Sequence, residues 1–212
     1  MTASIIGSGV KRKEDHRFIT GQGRYTDDIN RPGQAHAYFL RSPHAHAKIK
    51  SIDTAEARNA KGVVAIFTGK DIAADKIGGL ICGWMITSKD GSAMKAGAHP
   101  ALALDTVRYV GDHVAIVIAE TLAQARDAAE LINVDYGELP VVTEPAKAQS
   151  PGAPQLHAEA PKNTIYQWEI GNKPETEAAF KKAVHVVRLN LTNNRLIPNA
   201  MEPRACVGDY DD

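Results

Sequence analysis

Cysteine is scarce in this chain, and its scarcity excludes two classes of protein. Cys82 and Cys206 are the two cysteines among 212 residues, and no CxxC pair occurs. Two cysteines are too few for a disulfide framework, and without a CxxC pair neither a structural zinc site nor a redox dithiol is expected. We interpret Cys206 as a small residue buried in a strand, because no paired base for a nucleophilic thiol is evident.

Net charge and long apolar runs are lacking as well. The chain has 25 lysine and arginine residues against 25 aspartate and glutamate residues, so its formal net charge is zero. This balance does not build the positive field on which nucleic-acid binding depends. No apolar run reaches membrane-spanning length, and none follows the N-terminal basic residues as a signal peptide would require. We therefore expect a cytoplasmic protein with no membrane span and no nucleic-acid partner.

The common catalytic strings are also absent. The sequence contains no Walker-type phosphate loop, no His-Glu-x-x-His and no Gly-x-Ser-x-Gly. His44 and His46 would share one face of a strand, yet the sequence offers no third metal ligand near them. It therefore predicts no catalytic residue and no metal ligand.

What is present is an alternation of strand and helix patterns, which is typical of an α/β protein. Thr121 and Gln124 fit a reciprocal capping box, which predicts a helix whose apolar face carries residues 122, 125, 129 and 132. A shorter helix is predicted over 54–60, with Thr54 as its N-cap. Strands are predicted over 35–41, 47–52, 63–67, 114–119 and 134–136. We expect the first of these strands to lie in the interior of a sheet, because both of its faces are moderately apolar.

Two stretches break this pattern. Residues 75–105 are punctuated by glycines and show no period, and a loop of that length inside a compact domain usually has a function or a partner surface. Residues 144–161 are rich in proline and poor in large apolar side chains, which indicates a linker. Beyond it the pattern predicts a helix over 174–183 and a half-buried strand over 187–192.

The most specific string of the sequence occupies residues 195–204 and reads RLIPNAMEPR. Glu202 and Arg204 are two residues apart, so in an extended segment they would share a face and could form an ion pair. Pro203 removes a backbone donor between them and indicates an edge, a bulge or a turn. An acid and a guanidinium at such a kink either orient a pocket or lock the fold, and the residues alone favour the lock.

Four segments together resemble the N-terminal part of the large subunit of the molybdenum hydroxylases, the family of xanthine dehydrogenase, aldehyde oxidase and aerobic carbon monoxide dehydrogenase. Residues 23–28 are similar to the entry loop of that family, and residues 41–49 to its first strand, turn and strand. Residues 107–140 resemble its capped helix and flanking strands. Residues 195–204 resemble the start of its molybdopterin-binding region, in the carbon monoxide dehydrogenase-like branch.

This resemblance implies an α/β fold, an α+β hammerhead domain with a mixed sheet, followed by the truncated start of a molybdopterin-binding domain. The implied organisation is a lead-in at 1–17, the hammerhead domain at 18–143, the linker at 144–161 and the start of the cofactor domain at 162–212. Glu202 and Arg204 are the two residues that the resemblance places near the cofactor.

An activity of the whole enzyme is implied as well. Members of the family oxidise carbon monoxide, an aldehyde or a heterocycle at molybdenum, with water as the source of oxygen. The implied cofactor is molybdopterin, in bacteria as the cytosine dinucleotide. Electrons would pass to iron–sulfur clusters and FAD on partner subunits, in a dimer of heterotrimers.

Large subunits of this family are several times longer than this chain, so we expect the chain alone to be non-catalytic and to bind none of these cofactors. Its further partner would be the remainder of the large subunit. The alternative is a free-standing hammerhead module that docks on redox subunits without catalysis. In both cases we expect apolar residues such as Leu189, Leu191, Leu196 and Ile197 to be exposed. Residues after about 160 should then be less protected against hydrogen exchange than the hammerhead.

Overall fold

A computed structural model describes residues 6–7, 9, 11–194, 196–200 and 202–211. Contacts divide the chain into two units, one made of Met1–Gln34 with Val187–Asp212 and the other of Ala35–Val186. Among the described residues, no helix is long and apolar enough to cross a membrane.

The described part of the larger unit has six strands: β1 (His36–Arg41), β2 (Ala47–Asp53), β3 (Val63–Thr68), β4 (Thr106–Val107), β5 (His113–Ala119) and β6 (Asn133–Glu138). They form two three-stranded sheets, in the orders β1-β5-β3 and β4-β2-β6. Every pairing is antiparallel. The predicted α/β fold class is confirmed, and its strands lie in two small sheets.

Helices accompany these sheets at a few positions. The larger unit carries α2 (Ala55–Arg58), α3 (Gly69–Ala74), α4 (Leu122–Glu130) and α5 (Lys173–Lys182), and the smaller unit carries α1 (Asp15–Ile19). Short 3-10 turns occur at Thr26–Asp28, Pro145–Lys147 and Pro161–Asn163. α5 contains no buried residue, so it contributes little to the core.

The main core lies between α4 and the sheet that has β5 at its centre. Val117 and Ile66 of the sheet are fully buried together with the small face of α4, which consists of Ala125, Ala128 and Ala129. Alanines at helical spacing let the helix axis approach the sheet closely. Leu122, predicted to belong to this face, is instead exposed at the first position of the helix, and Ala128 takes its place in the core.

The cap of α4 follows the sequence prediction in one of its two bonds. The backbone N–H of Gln124 donates to Thr121 Oγ1 at 3.2 Å. The second bond differs from the prediction, because Gln124 Oε1 accepts from the Thr121 hydroxyl at 2.9 Å and not from the Thr121 backbone N–H.

A second, smaller core cluster consists of Ala47, Ala103, Val107 and Val114. Ile52 and Val134 pack against both clusters, which joins the two sheets into one folded unit. Gly69, at the start of α3, lies so close to the backbone of Ala103 that a Cβ would collide with its carbonyl. This contact holds the end of the long 75–105 excursion against the sheet.

Three local predictions are wrong for identifiable physical reasons. β1 is an edge strand, since it pairs with β5 alone; its moderately apolar faces reflect packing on one side by α4. Thr54 makes no capping bond to the helix backbone; its hydroxyl oxygen accepts from Arg58 Nε at 3.0 Å instead. The predicted strand over 187–192 is absent, because these described residues form neither strand nor helix.

The proline-rich stretch at 144–161 is held within the larger unit by polar contacts. The Asn163 amide donates to the carbonyl oxygens of Ala148 and Pro154 at 2.9 and 2.8 Å. Its Oδ1 accepts from the backbone N–H of Leu156 at 2.9 Å. One asparagine side chain therefore satisfies three backbone groups of a segment that has no α-helix or strand and contains only short 3-10 turns.

Candidate functional site

The entry loop of the smaller unit is shaped by one carboxylate and one ring contact. Asp28 Oδ2 accepts the backbone N–H of Tyr25 at 2.9 Å and closes the 3-10 turn Thr26–Asp28. The Tyr25 ring stacks on Phe18 of α1 with centroids 5.7 Å apart. Gly23 lies against the same Phe18 ring, where a Cβ would collide. The loop therefore has a defined shape, and it presents Thr26 at its turn.

Glu202 meets the entry loop at Thr26. Its Oε1 accepts two hydrogen bonds at 2.7 Å, one from the Thr26 backbone N–H and one from the Thr26 hydroxyl. The two residues are 176 positions apart in the sequence. This contact joins two of the segments on which the family resemblance rests, the entry loop at 23–28 and the string at 195–204.

The same two bonds set the electrostatics of Glu202. The backbone N–H of Thr26, followed by its hydroxyl, holds the pKa of Glu202 below its usual range, since both bonds favour the ionised carboxylate. Glu202 thus acts as an ionised acceptor at neutral pH, which suits a structural tie better than a general base.

A small cavity of about 140 Å³ adjoins this contact. Three carboxylates contribute to its lining, those of Asp27, Asp28 and Glu202, and the other lining residues are Tyr25, Pro203 and Ala205. A space this small and this acidic does not suit an organic anion. Nearby, Arg31 and Asp209 form an exposed ion pair at 3.4 Å between the same two segments of the smaller unit.

The predicted pairing of Glu202 with Arg204 is not formed among the described residues, because the Glu202 carboxylate is bound to Thr26. Arg204 is exposed and makes no ion pair within the described part of the chain. Arg195 and Met201 of the same string lie outside the described residues. Cys206 is exposed, so the prediction that it is a buried strand residue is wrong; the segment around it forms no strand.

The histidine pair takes two separate structural roles just before β2. His46 is buried, and its Nδ1 lies 2.8 Å from the carbonyl oxygen of Pro140. His44 is half-buried, with its ring 4.8 Å from that of Tyr136 and its Nδ1 3.7 Å from Glu138. Within the described ranges, no group of three or more His, Cys, Asp or Glu side chains is arranged to hold a metal ion.

Sequence reasoning missed a larger cavity in the unit Ala35–Val186. It has a volume of about 560 Å³ and lies between the 75–105 excursion and the segment around His157. Arg108 and Tyr109, to which the sequence assigned no role, lie in its wall. The signal available in the sequence was the length of the excursion itself.

Family comparisons match the chain in two consecutive blocks. Residues 20–140 match the family described as aldehyde oxidase and xanthine dehydrogenase, a/b hammerhead domain. Residues 156–212 match the molybdopterin cofactor-binding domain.

Similar proteins are large subunits of redox enzymes. The nicotine 6-hydroxylase large subunit of Paenarthrobacter nicotinovorans is 37% identical over 211 residues, which cover 100% of this chain and 25% of that protein. The carbon monoxide dehydrogenase large chain of Afipia carboxidovorans is 38% identical and is matched over 98% of this chain and 26% of its own length. The chain therefore spans about a quarter of the length of these curated relatives.

Solved structures agree with this assignment. A Cu,Mo-CO dehydrogenase superposes with a TM-score of 0.66 at 37% identity, over 84% of this chain and 23% of the other. The aldehyde oxidoreductase of Desulfovibrio gigas superposes with a TM-score of 0.58 at 32% identity, over 71% of this chain and 16% of the other. By sequence and by fold, the chain belongs to the aldehyde oxidase and xanthine dehydrogenase family, and it contains the family's α/β hammerhead domain.

Proposed function

We propose that residues 1–212 are the N-terminal part of the large, molybdenum-binding subunit of a cytoplasmic molybdenum hydroxylase. The observation that carries the proposal is the order of the two family matches, hammerhead at 20–140 and cofactor-binding domain from 156. The contact between Thr26 and Glu202 supports it, because it fastens a segment of the first match to a segment of the second.

The whole enzyme would oxidise carbon monoxide, an aldehyde or a heterocycle, with the oxygen atom taken from water. Molybdopterin, as the cytosine dinucleotide, would supply the molybdenum at which the substrate is oxidised. Iron–sulfur and flavin subunits would receive the electrons, in a dimer of heterotrimers. Named relatives of this type include a carbon monoxide dehydrogenase, a nicotine hydroxylase and a xanthine dehydrogenase subunit.

The residues present in this chain do not by themselves fit molybdopterin. The cavity beside Glu202 holds about 140 Å³ and is lined by three carboxylates, whereas the cofactor carries a negatively charged phosphate that such a lining would repel. No described group of side chains is arranged as a metal site. The proposal therefore assigns the chemistry to the remainder of the large subunit, and the chain alone should not turn over.

Within this proposal, Glu202 is a positioning residue. Its carboxylate fixes the segment 202–205 to the entry loop through Thr26, and it acts on the cofactor region through that segment. Arg204, which forms no ion pair among the described residues, supplies the neighbouring positive charge. An unpaired guanidinium is suited to a phosphate or another anionic group, so we place Arg204 near the cofactor.

A comparison of the isolated chain with the assembled enzyme tests the proposal. The 212-residue chain and the complete large subunit with its partners are produced side by side in cells supplied with molybdate. Molybdenum is measured by mass spectrometry, and dye reduction is measured with carbon monoxide, an aldehyde and a heterocycle.

We expect about one molybdenum per large subunit and turnover of one of these substrates in the assembled enzyme, and neither in the isolated chain. Stoichiometric molybdenum with turnover in the isolated chain would contradict the proposal. So would an assembled complex without molybdenum, which would favour the hammerhead as a docking module.

A further inference from the structure

The cavity of about 560 Å³ lies wholly within the unit Ala35–Val186 and has walls that are tied together. Within the 75–105 excursion, the Leu80 N–H donates to the His99 carbonyl at 2.7 Å. The Lys95 N–H donates to the carbonyl of Ile165 at 2.9 Å, which joins the excursion to the segment after the proline-rich stretch. Backbone hydrogen bonds thus define the shape of this cavity, whose volume suits a small organic ligand.

Much of the cavity lining is apolar. Its lining includes Leu80, Ile81, Met85, Met94 and Ile165. Ile81 is 92% exposed, and Leu80 and Met85 are more than half exposed. Methionine side chains adapt to differently shaped apolar partners, so this wall would accept an aromatic or aliphatic group and would gain free energy from covering its apolar area.

The lining also contains Arg108, a half-buried cation that forms no ion pair with a carboxylate in the described ranges. Its guanidinium donates to two backbone carbonyls, Leu156 through Nε at 3.1 Å and Thr106 through Nη1 at 3.4 Å. Those contacts fix its position, and its guanidinium forms no ion pair with a carboxylate among the described residues. A partly buried guanidinium held in place in this way is prepared to bind a carboxylate.

Two other polar residues of the cavity lining, His157 and Asp112, lie near Arg108. Burial and then the positive charge of Arg108 lower the pKa of His157 in the cavity wall, and the Glu159 carboxylate acts in the opposite direction. The acidic lining residue, Asp112, accepts the Arg108 backbone N–H at 3.0 Å. Its carboxylate is therefore engaged with the backbone.

Thr106 gives an independent indication of a ligand. It is 5% exposed and lines the cavity, and its hydroxyl has no hydrogen-bond partner in the described structure. Buried hydroxyls without a partner are uncommon in folded proteins, because each one loses its bond to water. A bound acceptor group at this end of the cavity would satisfy it.

We propose that this cavity binds a small amphipathic carboxylate, with its apolar body on the Met85 and Ile165 side and its carboxylate on Arg108 and Thr106. The site lies in the hammerhead unit and does not depend on molybdenum chemistry. The proposal therefore stands or falls separately from the assignment to a molybdenum hydroxylase.

Titration of the 212-residue chain with 4-phenylbutyrate and with its neutral amide tests the proposal. Isothermal calorimetry gives the two affinities, and backbone amide NMR shifts locate the bound molecule. We expect saturable binding of the acid with a dissociation constant on the order of a millimolar or tighter, with shifts confined to residues 80–112 and 156–166. The amide should bind at least tenfold more weakly. Absence of saturable binding, or an amide that binds within threefold of the acid, would overturn the proposal.

Two matched variants locate the carboxylate. Arg108→Met should weaken binding of the acid at least tenfold, whereas Arg126→Met removes the same charge from a guanidinium that packs over the Tyr38 ring, 5.7 Å from its centroid, and should leave binding unchanged. Equal affinities of the two variants would overturn the proposal. If Arg108→Met does not fold, Thr106→Val decides in its place, because it keeps the shape of the side chain and removes only the hydroxyl. It should bind the acid at least threefold more weakly, and unaltered binding would count against the site.

Discussion

Val117 occupies the centre of the main core, and shortening it tests the packing on which the hammerhead unit rests. It lies in the middle strand β5, opposite Tyr38 of β1 and Ile66 of β3, and its side chain is fully buried. The change Val117→Ala removes two carbons. At about 0.8 kcal/mol per buried carbon group, the lost transfer free energy is about 1.6 kcal/mol.

A cavity term adds to this loss, because a sheet paired on both edges of β5 and covered by α4 relaxes only in part. We expect a total loss of about 2–3 kcal/mol in the free energy of unfolding. For a unit of this size, a loss of that magnitude lowers the melting temperature by roughly 5–10 °C.

Val64→Ala is the matched control. Val64 lies in β3 of the same sheet but is 64% exposed, so the same chemical change should cost less than about 1 kcal/mol. Urea denaturation followed by far-UV circular dichroism measures both variants against the parent chain. A Val117→Ala midpoint within error of the Val64→Ala midpoint would refute the assignment of β5 and α4 as the main core.

Further expectations concern the smaller unit, acid stability and local opening. Thr26→Val removes the hydroxyl bond to Glu202 and keeps the backbone bond, so the pKa of Glu202 should rise part of the way to its usual value in an NMR titration. Thr20→Val is the control. An unchanged Glu202 pKa in Thr26→Val would show that the hydroxyl bond is absent. Burial and then the charge of Arg41 lower the pKa of His113. The unfolded chain therefore takes up a proton more readily than the folded chain, so the free energy of unfolding should be highest above about pH 6.5 and should decrease as the pH falls below that value. His113→Phe should reduce that fall in urea curves at pH 7 and pH 5, and equal pH dependence would contradict the role of His113. Hydrogen exchange should be faster over 184–194 than in β5, and equal protection would show that the exposed segment is covered in solution.

The local sequence pattern was sufficient to predict helices and strands whose buried face is evident from the spacing of their own apolar residues. β5 is a continuous apolar run that became the central strand, and the cap at Thr121 marked the start of α4. These features depend on residues within about ten positions of each other, so the sequence displays them directly.

The sequence pattern gave a wrong prediction where a segment needs contacts with residues far away in the sequence. Residues 187–192 alternate like a strand, but a strand forms only where another edge pairs with it, and the described residues provide none. Four apolar side chains are more than three-quarters exposed, as predicted from the sequence: Leu189, Leu191, Leu196 and Ile197.

The candidate site was only half visible in the sequence for the same reason. Glu202 stood out through the string at 195–204, but its expected partner was Arg204, two residues away. The observed partner is Thr26, and no local spacing points to a contact across 176 positions. Arg108 and Thr106 became candidates only once the structure showed a charge without a counter-ion and a hydroxyl without a bond.

We propose that residues 1–212 are the beginning of a molybdenum-binding large subunit, and the length and metal content of the native protein test this directly. Antibodies against this chain can capture the native protein from cells grown with molybdate, and mass spectrometry can then give the length of the captured polypeptide and its molybdenum content. We predict a polypeptide about four times as long as this chain, since the chain matches 25% of its relative. Each polypeptide should carry about one molybdenum and have iron–sulfur and flavin subunits attached. A captured polypeptide of 212 residues without molybdenum would contradict the proposed function.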